Sequence, residues 1–117
     1  MTDIEIKRIY EPYADADGYR VFIDKLWPRR ISKDEAHIDY WAKDLTPSTQ
    51  IRKEFNHEDD KWEKFKHDYL QELKENKNLD DFINEIKPKK KVTLLYGAKN
   101  PAHNHAITLR DFLKNIM

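Results

Sequence analysis

Apolar residues are sparse along this chain, and their spacing switches between the period of a strand and that of a helix. Ile4, Ile6 and Ile9 are separated by charged residues, which predicts a strand over residues 4–10 with one solvated face. Residues 11–18 are rich in turn-forming side chains and are too few for a crossover helix. The chain is therefore predicted to begin with a strand and an irregular connection.

Two further segments have the composition of buried strands. Residues 19–26 have an apolar centre and are predicted to form a second strand. Residues 92–96 form the longest apolar run and are rich in β-branched and aromatic side chains, which is typical of a strand buried on both faces. Residues 38–45 fit either a helix or a strand, and we favour a short strand or extended segment.

Five segments carry the apolar period or the capping residues of helices. Ser32 and Glu35 match a capping box, so a short helix is predicted to begin there. Thr46 as N-cap with Pro47 at the first helical position predicts a second helix, which ends near Asn56. The longer helices are predicted over residues 58–75, 79–86 and 106–116.

The order of these elements predicts a small α/β fold, with a mostly parallel sheet of three to four strands flanked by helices. The segment between the second strand and the strand at 92–96 is long and helical, as parallel neighbours require. With 117 residues, the chain is expected to form a single α/β domain over residues 1–117 with one core.

Composition narrows the classes of partner and chemistry. The 22 Lys and Arg residues balance 22 Asp and Glu residues, so no net field attracts nucleic acid or an anionic membrane. The lack of cysteine excludes disulfides, thiolate metal ligands and thiol nucleophiles. The charged N-terminal segment does not resemble a signal peptide, and no apolar run is long enough to span a membrane. We expect a cytoplasmic protein with no membrane partner.

Cationic and amide side chains follow both buried strands. Because the carboxyl ends of neighbouring parallel strands meet at one edge of a sheet, these side chains are expected to share a pocket. Cations beside a helix N-terminus suit an anionic small molecule carrying phosphate or carboxylate. The competing interpretation is that the arginines pair with carboxylates or face solvent and that the tryptophan belongs to the core. The predicted ligand-binding residues are Lys25, Trp27, Arg29, Arg30, Tyr96, Lys99, Asn100 and Asn104.

Ser48 and Arg52 lie in the first turns of the helix predicted after Pro47. They would add a second anion-binding helix N-terminus if that helix faced the same cleft. Capping of the helix is the simpler explanation of the hydroxyl side chains, and we prefer it. Both residues are nevertheless retained as candidate ligand-binding residues.

Acid–base chemistry would fall to Asp24, His103 and His105, the candidate catalytic residues. Asp24 ends a buried strand and is expected to pair with Arg20 or Arg29, which could equally be a structural ion pair. The two histidines could instead be hydrogen-bonded supporting residues or surface residues. Their spacing directs the two rings to opposite sides of a helix, which argues against a metal site. We expect neither a metal nor a cofactor.

Common catalytic motifs are missing from the sequence. Two glycines cannot build a Walker loop or a dinucleotide fingerprint, and neither Ser32 nor Ser48 lies in a nucleophile elbow. Whether the protein is an enzyme therefore stays undecided at this point.

Two alternatives to small-molecule binding remain open. Trp27 among cations resembles a nucleic-acid stacking patch, although the zero net charge argues against that function. A protein-interaction module without catalysis would use the aromatic residues Tyr13, Tyr40 and Trp41. The sequence defines no oligomeric state.

Four segments together resemble the YeaO-like branch of the domain-of-unknown-function 488 group: RVFIDKLWPRR, DYWAKDLTPSTQIRKEFNH, WEKFKHDYLQEL and LLYGAKNPAHNHAITL. The similarity spans nearly the whole chain, and its motif order is specific. It implies a compact bacterial α/β domain and no established activity. The residues that match the family pattern are Arg20, Asp24, Trp27, Pro28, Arg29, Ser48, Arg52, His57, Trp62, Phe65, Tyr69, Tyr96, Asn104 and Ala106.

This chain departs from the family pattern at two positions. Most relatives place glycine after the first arginine of W-P-R, whereas this chain has Arg30. Wider members of the group resemble a Cys-His-Arg pattern where this chain reads Asn104-His105-Ala106. A cysteine there would favour thiolate chemistry, because a helix N-terminus and a cation lower its pKa. If the wider group has such an ancestry, the resemblance implies that this branch keeps the binding site without that nucleophile.

Overall fold

A parallel four-stranded sheet forms the centre of the protein in the computed structural model, which describes residues 2–117. The strands are β1 (Asp3–Arg8), β2 (Tyr19–Phe22), β3 (Tyr40–Trp41) and β4 (Lys91–Tyr96). Their spatial order is β1-β4-β2-β3, and every neighbouring pair is parallel. The predicted α/β fold class is confirmed, and the apolar run at 92–96 is the central strand, buried on both faces.

Within residues 2–117, five helices and three short 3-10 turns accompany the strands, and the last helix follows the last strand. The helices are α1 (Lys33–Ala36), α2 (Thr49–Phe55), α3 (Trp62–Glu75), α4 (Leu79–Ile86) and α5 (His105–Ile116). The 3-10 turns are Asp15–Asp17, Lys43–Leu45 and Asp59–Lys61. The predicted capping box is confirmed, because Ser32 Oγ accepts the Glu35 N–H while the Glu35 carboxylate accepts the Ser32 N–H, each at 3.1 Å.

Two predicted element boundaries are wrong, and in both cases a side-chain hydrogen bond differs from the one expected. β2 ends at Phe22 rather than at residue 26, and the Asp24 carboxylate instead accepts the Gly97 N–H. The N-cap of α2 is Ser48, whose hydroxyl accepts the Ile51 N–H, whereas the Thr46 hydroxyl donates to the Lys43 carbonyl.

The predicted helix over residues 58–75 is divided into two parts. Its first turn is the 3-10 turn Asp59–Lys61, and the α-helix begins at Trp62. The ambiguous segment 38–45 contains the short strand β3 followed by the 3-10 turn Lys43–Leu45, so the preferred extended interpretation holds for its first half.

The two faces of the sheet are covered unequally. Helices α2, α3, α4 and α5 pack on one face and form the larger core with the inward-facing strand residues. The other face carries a small cluster in which Ile9, Phe22, Ala36 and Leu95 are buried. Among residues 2–117, no helix is long and apolar enough to cross a membrane.

Candidate functional site

A cavity of about 330 Å³ opens where β2 and β4 end side by side. The two chain exits are joined by hydrogen bonds, from the Ile23 N–H to the Leu95 carbonyl at 3.0 Å and from the Gly97 N–H to Asp24 Oδ2 at 2.8 Å. The ionisable lining residues are Asp24, Lys25, Arg52, His57, His103 and His105. The apolar lining residues are Ile23, Leu26, Pro47, Phe55, Phe65 and Ala98. The cavity therefore combines charged groups with an apolar wall.

Asp24 and His105 join the end of β2 to the beginning of α5. His105 Nε2 lies 2.9 Å from the Ile23 carbonyl oxygen and 2.8 Å from Asp24 Oδ1. The ring N–H is directed at the carbonyl, so Asp24 Oδ1 is in electrostatic contact with the imidazole and has no aligned hydrogen bond. Asp24 Oδ1 is also sealed from solvent. Asp24 thus directs its charge toward His105 and the Gly97 amide.

Gly97 is required at this position by the close approach of Asp24. A Cβ atom there would lie 2.7 Å from Asp24 Oδ2, inside van der Waals contact. The glycine ends β4 and presents its N–H to the carboxylate. This explains locally why the apolar run is followed by glycine.

His103 forms a second pairing of histidine with aspartate. Its Nδ1 lies 2.8 Å from Asp59 Oδ1, which also accepts a hydrogen bond from the Asn100 amide at 3.1 Å. The ring stacks on Trp62, with centroids 5.0 Å apart and planes 16° apart. Asn100 Oδ1 in turn accepts the Ala102 and His103 N–H groups. The imidazole is held in both position and orientation.

Asn104 caps the helix that follows. Its Oδ1 accepts the Ile107 N–H at 3.2 Å, and its amide group donates to the Asn100 carbonyl at 2.9 Å. Tyr96 lies beneath this turn in the larger core, where burial raises the pKa of its phenol. Both residues are buried and support the loop.

Lys25 and Arg52 are the cations of the cavity. Lys25 comes from the loop after β2, and Arg52 from α2, so two separate elements supply them. Both side chains are exposed, and within residues 2–117 neither forms a salt bridge. Their charge is available to a ligand.

Six of the predicted site residues lie together on the cavity: Asp24, Lys25, Arg52, His103, Asn104 and His105. The predicted residues outside this lining are Trp27, Arg29, Arg30, Ser48, Tyr96, Lys99 and Asn100. Asn100 braces the loop and Ser48 caps α2, as already described.

Trp27 lies on the opposite face of the sheet. Its ring packs against Phe22 and Trp41, and its Nε1 donates to the Ile31 carbonyl at 2.7 Å. The chain that carries Arg29 and Arg30 follows it, and both arginines are exposed. The loop after β2 therefore divides its cations, with Lys25 on the cavity and the two arginines beyond its lining.

The expected pairing of Asp24 with Arg20 or Arg29 is wrong, because among residues 2–117 no salt bridge joins Asp24 to an arginine. Arg20 is 1% exposed, faces the opposite side of the sheet and pairs with Asp17. Its guanidinium also donates to the carbonyls of Ala36 at 2.9 Å and His37 at 3.2 Å. The cause is the end of β2 at Phe22, because the alternation of the strand does not extend to Asp24, whose carboxylate lies in the loop and accepts the Gly97 N–H.

Sequence reasoning missed His57 as a lining residue. It follows Asn56, and both have left-handed backbone conformations, with φ of 47° for Asn56 and 56° for His57. This tight reversal at the end of α2 places His57 on the cavity with Phe55. The predicted helix stop at Asn56 was the available signal. No group of three or more His, Asp or Glu side chains with metal-site geometry occurs in the described part of the chain.

The fold and the cavity define a small parallel α/β domain with a ligand-sized site at the carboxyl ends of its strands. The chain belongs to the family described as the inactive DUF488-N3 subclade, whose model matches residues 3–117. The resemblance to the YeaO-like branch is thereby confirmed.

Two relatives show how far the similarity extends. The chain is 41% identical over 114 residues to the uncharacterized protein YeaO of Escherichia coli (strain K12), covering 97% of this chain and 99% of YeaO. It is 30% identical over 112 residues to the uncharacterized protein Rv3073c of Mycobacterium tuberculosis (strain ATCC 25618 / H37Rv), covering 96% and 94% of the two chains. No solved structure matches the chain.

Proposed function

We propose that this protein binds a small anionic molecule, bearing carboxylate or phosphate, in the cavity at the carboxyl ends of its strands. The observation that carries the proposal is the presence of two cations, Lys25 and Arg52, on a cavity of about 330 Å³ without carboxylate partners in residues 2–117. A planar guanidinium and a mobile ammonium together suit an oxyanion. The family's description as an inactive subclade is in keeping with binding rather than catalysis.

Asp24 is the one carboxylate of the cavity lining, and its position is compatible with an anionic ligand. Its Oδ2 accepts the Gly97 N–H, and its Oδ1 is sealed behind His105. A bound anion would therefore meet the cations before it met this carboxylate. Because the whole chain has equal numbers of acidic and basic residues, the attraction is local to this cavity.

Isothermal titration calorimetry with inorganic phosphate and with short carboxylates tests the proposal. We expect at least one of these anions to bind, and Arg52→Ala to weaken that binding by about tenfold or more, as for loss of a hydrogen bond to a charged group. Lys53→Ala is the matched control, since Lys53 is the exposed neighbour of Arg52 and lies outside the cavity lining. Equal loss in both variants, or no binding of any of these anions, would refute the proposal.

The alternative functions gain no comparable support. The Trp27 ring packs against Phe22 and Trp41, so it is not free to stack on a base. Of the aromatic residues considered for a protein interface, Tyr13 is 45% exposed, whereas Tyr40 packs against Phe82. Small-molecule binding is the function that the geometry supports best.

A further inference from the structure

We propose that the ligand of this cavity is a small hydroxy acid, with its carboxylate at Lys25 and Arg52 and its hydroxyl group donating to the imidazole of His103 or His105. This inference rests on the proposed function and names the class of anion. The choice of a hydroxy acid follows from the tautomers of His103 and His105, that is, from which ring nitrogen carries the hydrogen.

The first imidazole has its tautomer set by Asp59. His103 Nδ1 lies 2.8 Å from Asp59 Oδ1, and an ionised carboxylate can only accept a hydrogen bond. The hydrogen of the neutral ring is therefore on Nδ1, and Nε2 carries a lone pair. Stacking on Trp62 and the second hydrogen bond to Asp59, from Asn100, hold this arrangement.

The second imidazole has the opposite tautomer. His105 Nε2 lies 2.9 Å from the Ile23 carbonyl oxygen, which can only accept, so the hydrogen of the neutral ring is on Nε2. Nδ1 is then the atom with the lone pair. Neither lone-pair nitrogen has a protein partner in residues 2–117, and neither is among the buried unpaired atoms.

The cavity therefore offers two kinds of polar group. Lys25 and Arg52 are donors with positive charge and suit a carboxylate, whereas each neutral histidine offers an acceptor that suits an O–H donor. A sulfate, the dianion of a phosphate monoester or a simple carboxylate has no O–H group and can use only the first kind. A hydroxy acid can use both, which is why we select this class.

The size and wall of the cavity add a second constraint. Its volume of about 330 Å³ is at the lower end of ligand pockets, which span about 300–1,000 Å³. Phe55, Phe65 and Leu26 supply an apolar wall, so the acid should carry a branched or aromatic hydrocarbon group. A nucleotide is larger and highly charged, so it matches neither the volume nor the apolar wall of the cavity.

Nuclear magnetic resonance of the ¹⁵N-labelled protein tests the tautomers without any ligand. We expect the neutral rings to show hydrogen on Nδ1 of His103 and on Nε2 of His105. The reverse tautomer at both rings would overturn the inference. The same titration defines a pH at which both rings are neutral, and binding is then measured there.

Calorimetry with the matched pair 3-phenyllactate and 3-phenylpropanoate tests the hydroxyl group. We expect the hydroxy acid to bind about tenfold more tightly, as for one added hydrogen bond. His103→Phe keeps a ring that can stack on Trp62 but removes the nitrogen, and should reduce the preference while 3-phenylpropanoate binds as before. His105→Phe tests the other ring because it also removes the acceptor nitrogen, and the exposed residue His67 provides the control His67→Phe.

The outcomes separate the two proposals. Equal binding of the two acids would overturn the hydroxy-acid inference and leave anion binding intact. Binding of neither acid, nor of phosphate, would overturn both. If His103→Phe lost its native circular dichroism, Asp59→Leu would serve instead, because it removes the acceptor that sets the tautomer. A hydroxyl preference that survived in His103→Phe (or in Asp59→Leu, where that variant replaces it) and in His105→Phe alike would also overturn the inference.

Discussion

Asp17 and Asp24 lie at opposite ends of β2, and their surroundings differ in kind. Asp17, before the strand, accepts hydrogen bonds from the Lys7 ammonium at 3.0 and 3.1 Å, from the Ala14 N–H at 3.1 Å and from the Arg20 guanidinium. Asp24, after the strand, has one oxygen bonded to the Gly97 amide and the other beside His105 without an aligned donor.

The difference separates a carboxylate held by cations from one that lines the candidate cavity. Burial alone would raise the pKa of Asp17, but hydrogen bonds from Lys7, the Ala14 backbone and Arg20 hold it below its ordinary value of 3.8. Both oxygens of the Asp17 carboxylate accept hydrogen bonds, and Asp17 lies outside the lining of the candidate cavity. Asp24 keeps an unsatisfied oxygen beside a cavity-lining histidine, and incomplete pairing of this kind is more typical of functional sites.

The largest effect should come from breaking the pair at Asp17. Arg20→Met should lower the free energy of unfolding by about 3–5 kcal/mol, because it leaves a buried carboxylate with one cation fewer. Urea denaturation followed by circular dichroism measures it. The double variant Asp17→Asn with Arg20→Met should recover part of the loss. A loss below about 1 kcal/mol in the single variant would class the pair with weak surface ion pairs.

Low pH should reduce the free energy of unfolding, because the Asp17 carboxylate becomes protonated. Because the pKa of Asp17 is lower in the folded protein, its stabilisation is complete above the ordinary value of 3.8 and is lost as the pH falls through the folded-state pKa. Urea midpoints measured at decreasing pH should fall less steeply in Asp17→Asn than in the wild type. Asp80→Asn, which removes an exposed carboxylate, is the comparison. Parallel curves for Asp17→Asn and wild type would contradict this prediction.

A smaller effect is expected at the other end of β2. Gly97→Ala places a Cβ 2.7 Å from Asp24 Oδ2, so the carboxylate must move and lose its hydrogen bond from the Gly97 amide. We expect a loss of about 1–3 kcal/mol in the free energy of unfolding. In an Asp24→Ala background the same substitution should cost much less, because no carboxylate remains to be displaced. Equal costs in both backgrounds would show that the contact with Asp24 is not the cause.

The smallest effect concerns the turn after Trp27. Arg30 has a left-handed backbone with φ of 64°, which favours glycine. Arg30→Gly should therefore raise the free energy of unfolding by up to about 1 kcal/mol. Arg29→Gly is the control, since Arg29 is not among the residues with positive φ, and it should not stabilise the protein. Destabilisation by Arg30→Gly would count against a backbone cost at this position.

Local signals predicted most of the fold. The apolar run of β4, the capping box at Ser32 and the period of α4 each lie in one short segment, and each gave the observed element. The errors arose where two local solutions compete. Thr46 and Ser48 are both good N-caps, and the choice between them depends on the chain reversal at Lys43–Leu45.

Part of the candidate site could be predicted from the sequence, because a geometric rule applies to the ends of parallel strands. The rule that neighbouring parallel strands end together correctly placed Lys25 and Asn104 on one cavity. It could not predict that the chain turns at Leu26 and carries Trp27 to the other face of the sheet. The end of a predicted strand shows where the following loop starts. The direction of that loop depends on contacts with residues that are distant in the sequence.

The insertion of β4 between β1 and β2 also affects how the chain is made. Both β1 and β2 pair with β4, and β4 is synthesised only after residue 90. A nascent chain that stops before Lys91 carries two unpaired strand edges, along which polypeptides tend to associate. Termination before the last quarter of the chain should consequently yield an aggregation-prone fragment rather than a smaller working protein.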